Sequence, residues 1–230
     1  MKTIGLLGGM SWGSTELYYR WINEGIKEKL GGLHSARIAM VSVDFQEIEE
    51  LQHSGEWERA GEVLSKAARR IEAAGADFLV ICTNTMHKVV PQIERAINIP
   101  ILHLADATAR RIKEGGMKTV GLLGSNFTME EDFYRGRLIE KHGLTVIIPS
   151  AADRQIVHRI IYEELCLGIV KAESREEYLR IINRMREEGA EGIIEGCTEI
   201  VMLVQQKHTD IPLFDTTAIH AQEAVSLALA

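Results

Sequence analysis

The residues best suited to chemistry lie in two short runs, Gly196-Cys197-Thr198-Glu199 and Cys82-Thr83-Asn84-Thr85-Met86-His87. Each follows an apolar β-type stretch, around Ile193-Ile194 and Phe78-Leu79-Val80-Ile81, and each precedes a helical pattern. A cysteine at such a strand end meets helix N–H groups that stabilise its thiolate against an ordinary thiol pKa of about 8.5. The alternative for Cys197 is a small apolar residue buried in the core. Thr83, Asn84 and Thr85 offer hydroxyl and amide groups to a carboxylate or an ammonium. They also suit helix capping, and the two uses are compatible.

An internal repeat links the two runs. Thr3-Ile4-Gly5-Leu6-Leu7-Gly8 recurs as Thr119-Val120-Gly121-Leu122-Leu123-Gly124, Gly75-Ala76-Asp77 as Gly189-Ala190-Glu191, and Ile99-Pro100 as Ile211-Pro212. The offsets are 116, 114 and 112 residues, so order and spacing are nearly kept. At the offset of 114, Thr83 maps onto Cys197, Asn84 onto Thr198 and Thr85 onto Glu199. In open α/β sheets ligands bind at the carboxyl ends of strands. Two equivalent half-sites would present Thr83 and Cys197 to opposite faces of one ligand. Inversion at a carbon needs that arrangement, one group removing a proton and the other delivering one to the opposite face.

Short apolar runs over 3–8, 36–43, 77–82, 100–104, 118–124, 144–148, 191–196 and 212–214 read as strands. Helical patterns over 13–29, 56–74, 86–97, 106–115, 128–142, 153–168, 173–188, 199–206 and 216–229 fall between them. Strands apolar on both faces point to parallel sheets covered by helices. The expected fold is α/β, two similar doubly wound parallel-sheet domains related by a pseudo-two-fold axis, with the active site in the cleft between them. The first domain is expected to comprise 1–103 with 216–230, the second 104–215.

Composition excludes several classes. The chain has 230 residues, a net charge of −7 and 46% apolar residues. It has no basic block, so nucleic acid is not an expected partner. No apolar run reaches the roughly 18 to 20 residues of a membrane span. The start of the chain reads as a first strand rather than a signal peptide, so a cytoplasmic location is expected. Cys82, Cys166 and Cys197 are too few and scattered for a disulfide framework. Side chains alternate along a strand, so Cys82 is expected in the core if Thr83 faces the ligand. Gly5 to Gly13 lacks the Gly-x-Gly-x-x-Gly fingerprint and no P-loop lysine follows. Its loop could instead offer N–H groups to a carboxylate. His87 and His220 read as structural, no cluster has zinc spacing, and Glu47, Glu49 and Glu50 read as a solvated face.

The chain resembles the aspartate/glutamate racemase family. Gly196-Cys197-Thr198-Glu199 matches a family motif, and Thr83-Asn84-Thr85-Met86-His87 is similar to its Cys-Asn-Thr-Ala-His. Gly8-Gly9-Met10-Ser11-Trp12 and Asp215-Thr216-Thr217 with His220 complete a likeness over essentially the whole chain. The resemblance implies a cofactor-independent (PLP-independent) racemase of aspartate or glutamate, acting as a homodimer on a small-molecule amino acid. It implies catalytic residues Thr83 and Cys197, with Cys197 taking the proton of the L-enantiomer, and substrate contacts from Asn84, Thr85 and Thr198. By motif position Met10 lines the pocket, although a loop anchor serves equally. The resemblance puts carboxylate contacts in 42–55, where Gln52 could bond a carboxylate and could equally be a solvated helix residue.

Two departures from the family pattern matter. Thr83 stands where the family has its first cysteine, and a hydroxyl is a far weaker acid than a thiol. Cys166 stands where the family has a lysine, which puts strict aspartate specificity in doubt. The alternatives are a hydantoin racemase or maleate isomerase type of enzyme, or a non-catalytic amino-acid-binding protein.

Overall fold

The computed structural model describes all 230 residues. They form two compact units, Met1–Leu104 with His220–Ala230, and Ala105–Ile219. In the first unit β1 (Ile4–Gly8) lies between β2 (Ile38–Ser42) and β3 (Phe78–Ile81), all parallel. The helices around it are α1 (Trp12–Leu30), α2 (Phe45–His53), α3 (Trp57–Ala73) and α4 (Val90–Glu94). In the second unit β4 (Thr119–Gly124) lies between β5 (Thr145–Ile147) and β6 (Gly192–Gly196), and β7 (Leu213–Asp215) extends the parallel sheet beyond β6. Its helices are α5 (Leu104–Glu114), α6 (Asn126–Glu130), α7 (Arg135–Glu140), α8 (Ala151–Glu163), α9 (Ala172–Glu187) and α10 (Ile200–Leu203). Helix α11 (Thr216–Leu229) ends the chain and carries it back into the first unit.

The repeat is structural. The first strand of each unit pairs with the second on one side and the third on the other. Gly5 of β1 and Gly121 of β4 take the same role, because no Cβ stands between the strand and its covering helix. A Cβ on Gly5 would come within 2.5 Å of Ile71 in α3, and one on Gly121 within 2.6 Å of Met185 in α9. The segments that run beside the third strands begin alike too. Leu79 N–H donates to the Pro100 carbonyl as Ile193 N–H does to that of Pro212.

Several expected elements differ. The strand over 100–104 shrinks to a single bridge from Ile101 to Leu79, and Leu104 already begins α5. Pro100 brings no N–H to a ladder, which shortens any strand it opens. The helix over 86–97 is a 3₁₀ turn, Thr85–Val89, followed by the short α4. Pro91 has no N–H for the His87 carbonyl, so the α-helical ladder cannot run through it. The helix over 128–142 divides at Glu131, whose backbone is extended, and Tyr134 is buried with its hydroxyl donating to Thr108. Helix α2 is an element the apolar periodicity did not mark. Asp44 caps it, accepting from Gln46 N–H at 3.2 Å.

The first unit has two apolar layers. Leu7, Met10, Ile48, Leu64, Ile71, Leu79 and Met86 pack on one face of its sheet. Ile4, Leu6, Tyr18, Ile22, Phe78, Val80 and Cys82 pack on the other, together with Ala221, Ala224, Val225 and Ala228 of α11. Successive β3 residues alternate between these layers, as the pleat requires.

Candidate active site

The two sequence runs sit at the carboxyl ends of equivalent strands, Thr83 after β3 and Cys197 after β6. Both show the same alternation of exposure. Thr83 and Thr85 are half-buried around a buried Asn84, and Cys197 and Glu199 are half-buried around a buried Thr198. The residues equated by the repeat therefore present themselves alike, each in its own unit.

In the first unit, Cys82 lies wholly in the apolar layer, and burial pushes its thiol far up. Gln52 is only 4% exposed, which overturns its reading as a solvated helix residue. Helix α2 turns its apolar side inward there, and Gln52 Nε2 donates to Met86 Sδ at 2.9 Å. This ties α2 to the turn that carries Thr83, Asn84 and Thr85. Met10 is buried in the same apolar layer as Met86, which is the placement of a loop anchor. The expected solvated acids Glu47 and Glu50 are indeed exposed.

In the second unit, Thr198 accepts a hydrogen bond from Thr217 Oγ1 at 3.4 Å, while Thr216 Oγ1 donates to the Glu195 carbonyl at 2.8 Å. The start of α11 thereby braces the end of β6. Arg175 donates to the Leu203 carbonyl at 2.7 Å and so holds the far end of α10.

Cys197 corrects a sequence expectation. Its thiol is not lowered but stands well above its ordinary value. Burial is the largest cause, and the Glu199 carboxylate and the Cys166 thiol add to it. The Glu199 backbone N–H does favour the thiolate, as expected of the strand-to-helix turn, but it is outweighed. Cys197 Sγ donates to Glu199 Oε2 at 2.9 Å, so the proton sits between sulfur and a carboxylate. Helix α10 has only four residues and supplies little dipole against that charge. Glu199 is the residue that sequence reasoning overlooked. Its signal was present, since the repeat set it opposite Thr85 as Cys197 stood opposite Thr83.

Further groups surround the thiol. Cys166, in the 3₁₀ turn Leu165–Leu167, is exposed as a residue, yet its thiol is pushed up to about 12, first by local desolvation and then by the charge of Glu199. Tyr178 of α9 is held well above its usual value, first by burial and then by Cys197, Cys166 and Glu164.

The chain matches the Asp/Glu/hydantoin racemase family over residues 7–224. It belongs to that family. Its fold is that of a candidate Asp/Glu racemase from Yersinia pestis, with 56% identity over the whole of both chains and a TM-score of 0.96. An aspartate racemase homologue from Pyrococcus horikoshii is similar over the whole of both chains, with 35% identity and a TM-score of 0.88. A broad-specificity amino-acid racemase of Bacillus subtilis shares 22% identity over 170 residues, 71% of this chain and 70% of that protein. Family membership makes this chain an isomerase of the amino-acid racemase type. No helix is long and apolar enough to cross a membrane.

Proposed function

We propose that this chain racemises aspartate, glutamate or both by direct proton transfer at Cα, without pyridoxal phosphate. Cys197 removes the proton of the L-enantiomer, and Thr83 supplies one to the other face of the same carbon. The observation that carries the reading is the equivalence of the two positions. Thr83 and Cys197 follow the third strand of two units with the same strand order and share one pattern of exposure.

The two groups are unequal partners. Cys197 rests as a thiol hydrogen-bonded to Glu199. Glu199 accepts the thiol proton, and the thiolate then takes the Cα proton. The substrate's ammonium supplies positive charge that favours this step. A threonine hydroxyl can donate or relay a proton but holds no standing alkoxide near neutral pH, so Thr83 is a poor base. A Cα–H beside a carboxylate is very weakly acidic, so the site must stabilise carbanion charge with oriented donors and excluded water. Asn84, Thr85 and Thr198 hold the α-amino and α-carboxylate groups. Gln52 fixes the Thr83 turn from behind and keeps its carbonyl for the substrate's ammonium, and Met10 anchors the first loop in the apolar layer that also holds Met86.

Proton NMR in D₂O over L- and D-amino acids tests the reading. Deuterium is expected to enter Cα of L-aspartate or L-glutamate, with the initial rate from the L-form well above that from the D-form. Equal initial rates from the two enantiomers would refute the inequality of Thr83 and Cys197. Cys197→Ala is expected to abolish exchange and spare binding. If the unaltered chain binds amino acids but exchanges no proton, it is a binding protein instead.

A further inference from the structure

Three buried imidazoles lie beside the Thr83 turn in the first unit, His87, His103 and His220. The His87 ring meets that of His103 edge-on, with centroids 4.6 Å apart, and lies 6.0 Å from that of His220. His220 is held in the layer beneath by Tyr18, whose hydroxyl is 2.9 Å from Nδ1, and by the Leu102 carbonyl, 2.7 Å from Nε2.

His87 does more than fill space. Its backbone N–H donates to the Asn84 carbonyl at 3.1 Å, which tightens the turn to 3₁₀. An α-turn would have used that N–H for the Thr83 carbonyl. The His87 ring supplies the replacement, with Nδ1 2.8 Å from the Thr83 oxygen. Its other nitrogen, Nε2, lies 3.2 Å from the backbone nitrogen of Leu104. A backbone N–H can only donate, so Nε2 is the acceptor and the ring proton is on Nδ1. The tautomer is thus set by one backbone donor and delivered to one backbone carbonyl.

We propose that His87, as the neutral Nδ1–H tautomer, is a positioning residue for Thr83, aiming its hydroxyl at the substrate by holding its carbonyl. Threonine is β-branched and stiff at χ1, so its hydroxyl follows the backbone that carries it. Fixing the Thr83 peptide plane therefore fixes where the hydroxyl oxygen stands, and its hydrogen turns to the acceptor in front of it. The inference rests on the proposed role of Thr83 as the second proton donor.

The test uses the full chain with L-glutamate and L-aspartate in D₂O and reads two quantities on one sample. Deuterium entering the remaining L-form reports Cys197 removing and returning a proton on one face. The D-enantiomer formed reports delivery from the other. A merely structural role would lower both together. His87→Gln keeps an acceptor for Leu104 N–H but loses the Nδ1–H donor, and the ratio of inversion to exchange is expected to fall about tenfold, the scale of a small misplacement of a reacting group. His87→Asn places an amide nitrogen near Nδ1 and is expected to hold the ratio within about twofold. The ratio is internal to each sample, so it does not depend on how much of a variant folds. An unchanged ratio in His87→Gln, or an equal fall in His87→Asn, overturns the inference. Thr83→Ala is the control. If it leaves the ratio unchanged, the Thr83 reading itself fails and the inference with it, which separates that outcome from a failure of His87 alone.

Discussion

At the scale of single residues, the thiol proposed to take the substrate's proton is poised against its own ionisation. Burial and the Glu199 carboxylate both hold Cys197 as a thiol. The carboxylate that opposes ionisation is also the nearest acceptor for the proton. Glu199→Gln separates these effects because they have opposite signs. Removing the negative charge lowers the thiol pKa, so alkylation of Cys197 by iodoacetamide, followed by mass spectrometry of its peptide, is expected to speed up at pH 8. Removing the acceptor is expected to slow Cα exchange of L-glutamate by about 10²-fold or more, the usual contribution of a general base. Exchange and alkylation that rise together would mean that Glu199 only restrains the thiol. Where the candidate residues sit in the fold was largely legible in the sequence. The repeat register singled out Thr83 over Cys82, and the pleat then sent Cys82 into the apolar layer. The thiol's resting state was not legible, because motif and strand end announce the N–H groups but not the burial that outweighs them. The burial of Gln52, already a candidate from the sequence, was hidden for a similar reason, since its inward turn depends on α2, whose short apolar spacing carries little signal.

At the scale of elements, strands buried on both faces read cleanly, and helices interrupted by proline or by a reversal of the chain did not. Pro91 broke one helix locally, whereas the break at Glu131 answers to the burial of Tyr134 and so to tertiary packing. The strand pair β6 and β7 carries a feature that periodicity gave no reason to expect. Glu195 is in register with Asp215 on the neighbouring strand and only 3% exposed. Its Oε1 has no hydrogen-bond partner. Burial, and then the charge of Asp215, pushes Glu195 up to about 8, and burial raises Asp215 as well. A carboxyl raised in the folded state binds its proton more tightly there than in the unfolded chain. Stability therefore falls as pH rises from the unfolded value, near 4.5, through about 8. Glu195→Gln keeps the shape and removes the charge. It is expected to be more stable than the unaltered chain by about 2–4 kcal/mol at pH 8, with the gain shrinking towards pH 5. Thermal melts at the two pH values check this, and a gain that is the same at both would show that the carboxyl is not titrating across that window.

At the scale of the whole molecule, the repeat makes the strand order within each unit legible in the sequence. Two copies of one strand order give every landmark a partner, so a register error in one half shows against the other. What the repeat could not convey is where the copies differ. Helix α11 opens in the second unit, and most of it completes the core of the first. Ala221, Ala224, Val225 and Ala228 pack with Tyr18, Ile22 and Ile26, Lys2 N–H donates to the Ala228 carbonyl at 2.9 Å, and His220 bonds both Tyr18 and the Leu102 carbonyl. Gly25 of α1 makes room for this helix, since a Cβ there would stand 3.0 Å from Val225 Cγ2. The second unit needs no such return, being one continuous segment over 105–219. Deleting residues 220–230 uncovers an apolar layer, and the loss is expected to exceed the roughly 5–15 kcal/mol that holds a typical domain folded. The first unit should then be digested rapidly by protease while a fragment near 105–219 survives, and that fragment expressed alone should melt cooperatively. Gly25→Leu tests the same contact without truncation. Overpacking typically costs about 1–3 kcal/mol, so hydrogen exchange should quicken in α1 and the end of α11 while β4 and β6 keep their protection. Equal loss of protection in both units would show that they fold as one cooperative body, and that α11 serves the second core as much as the first.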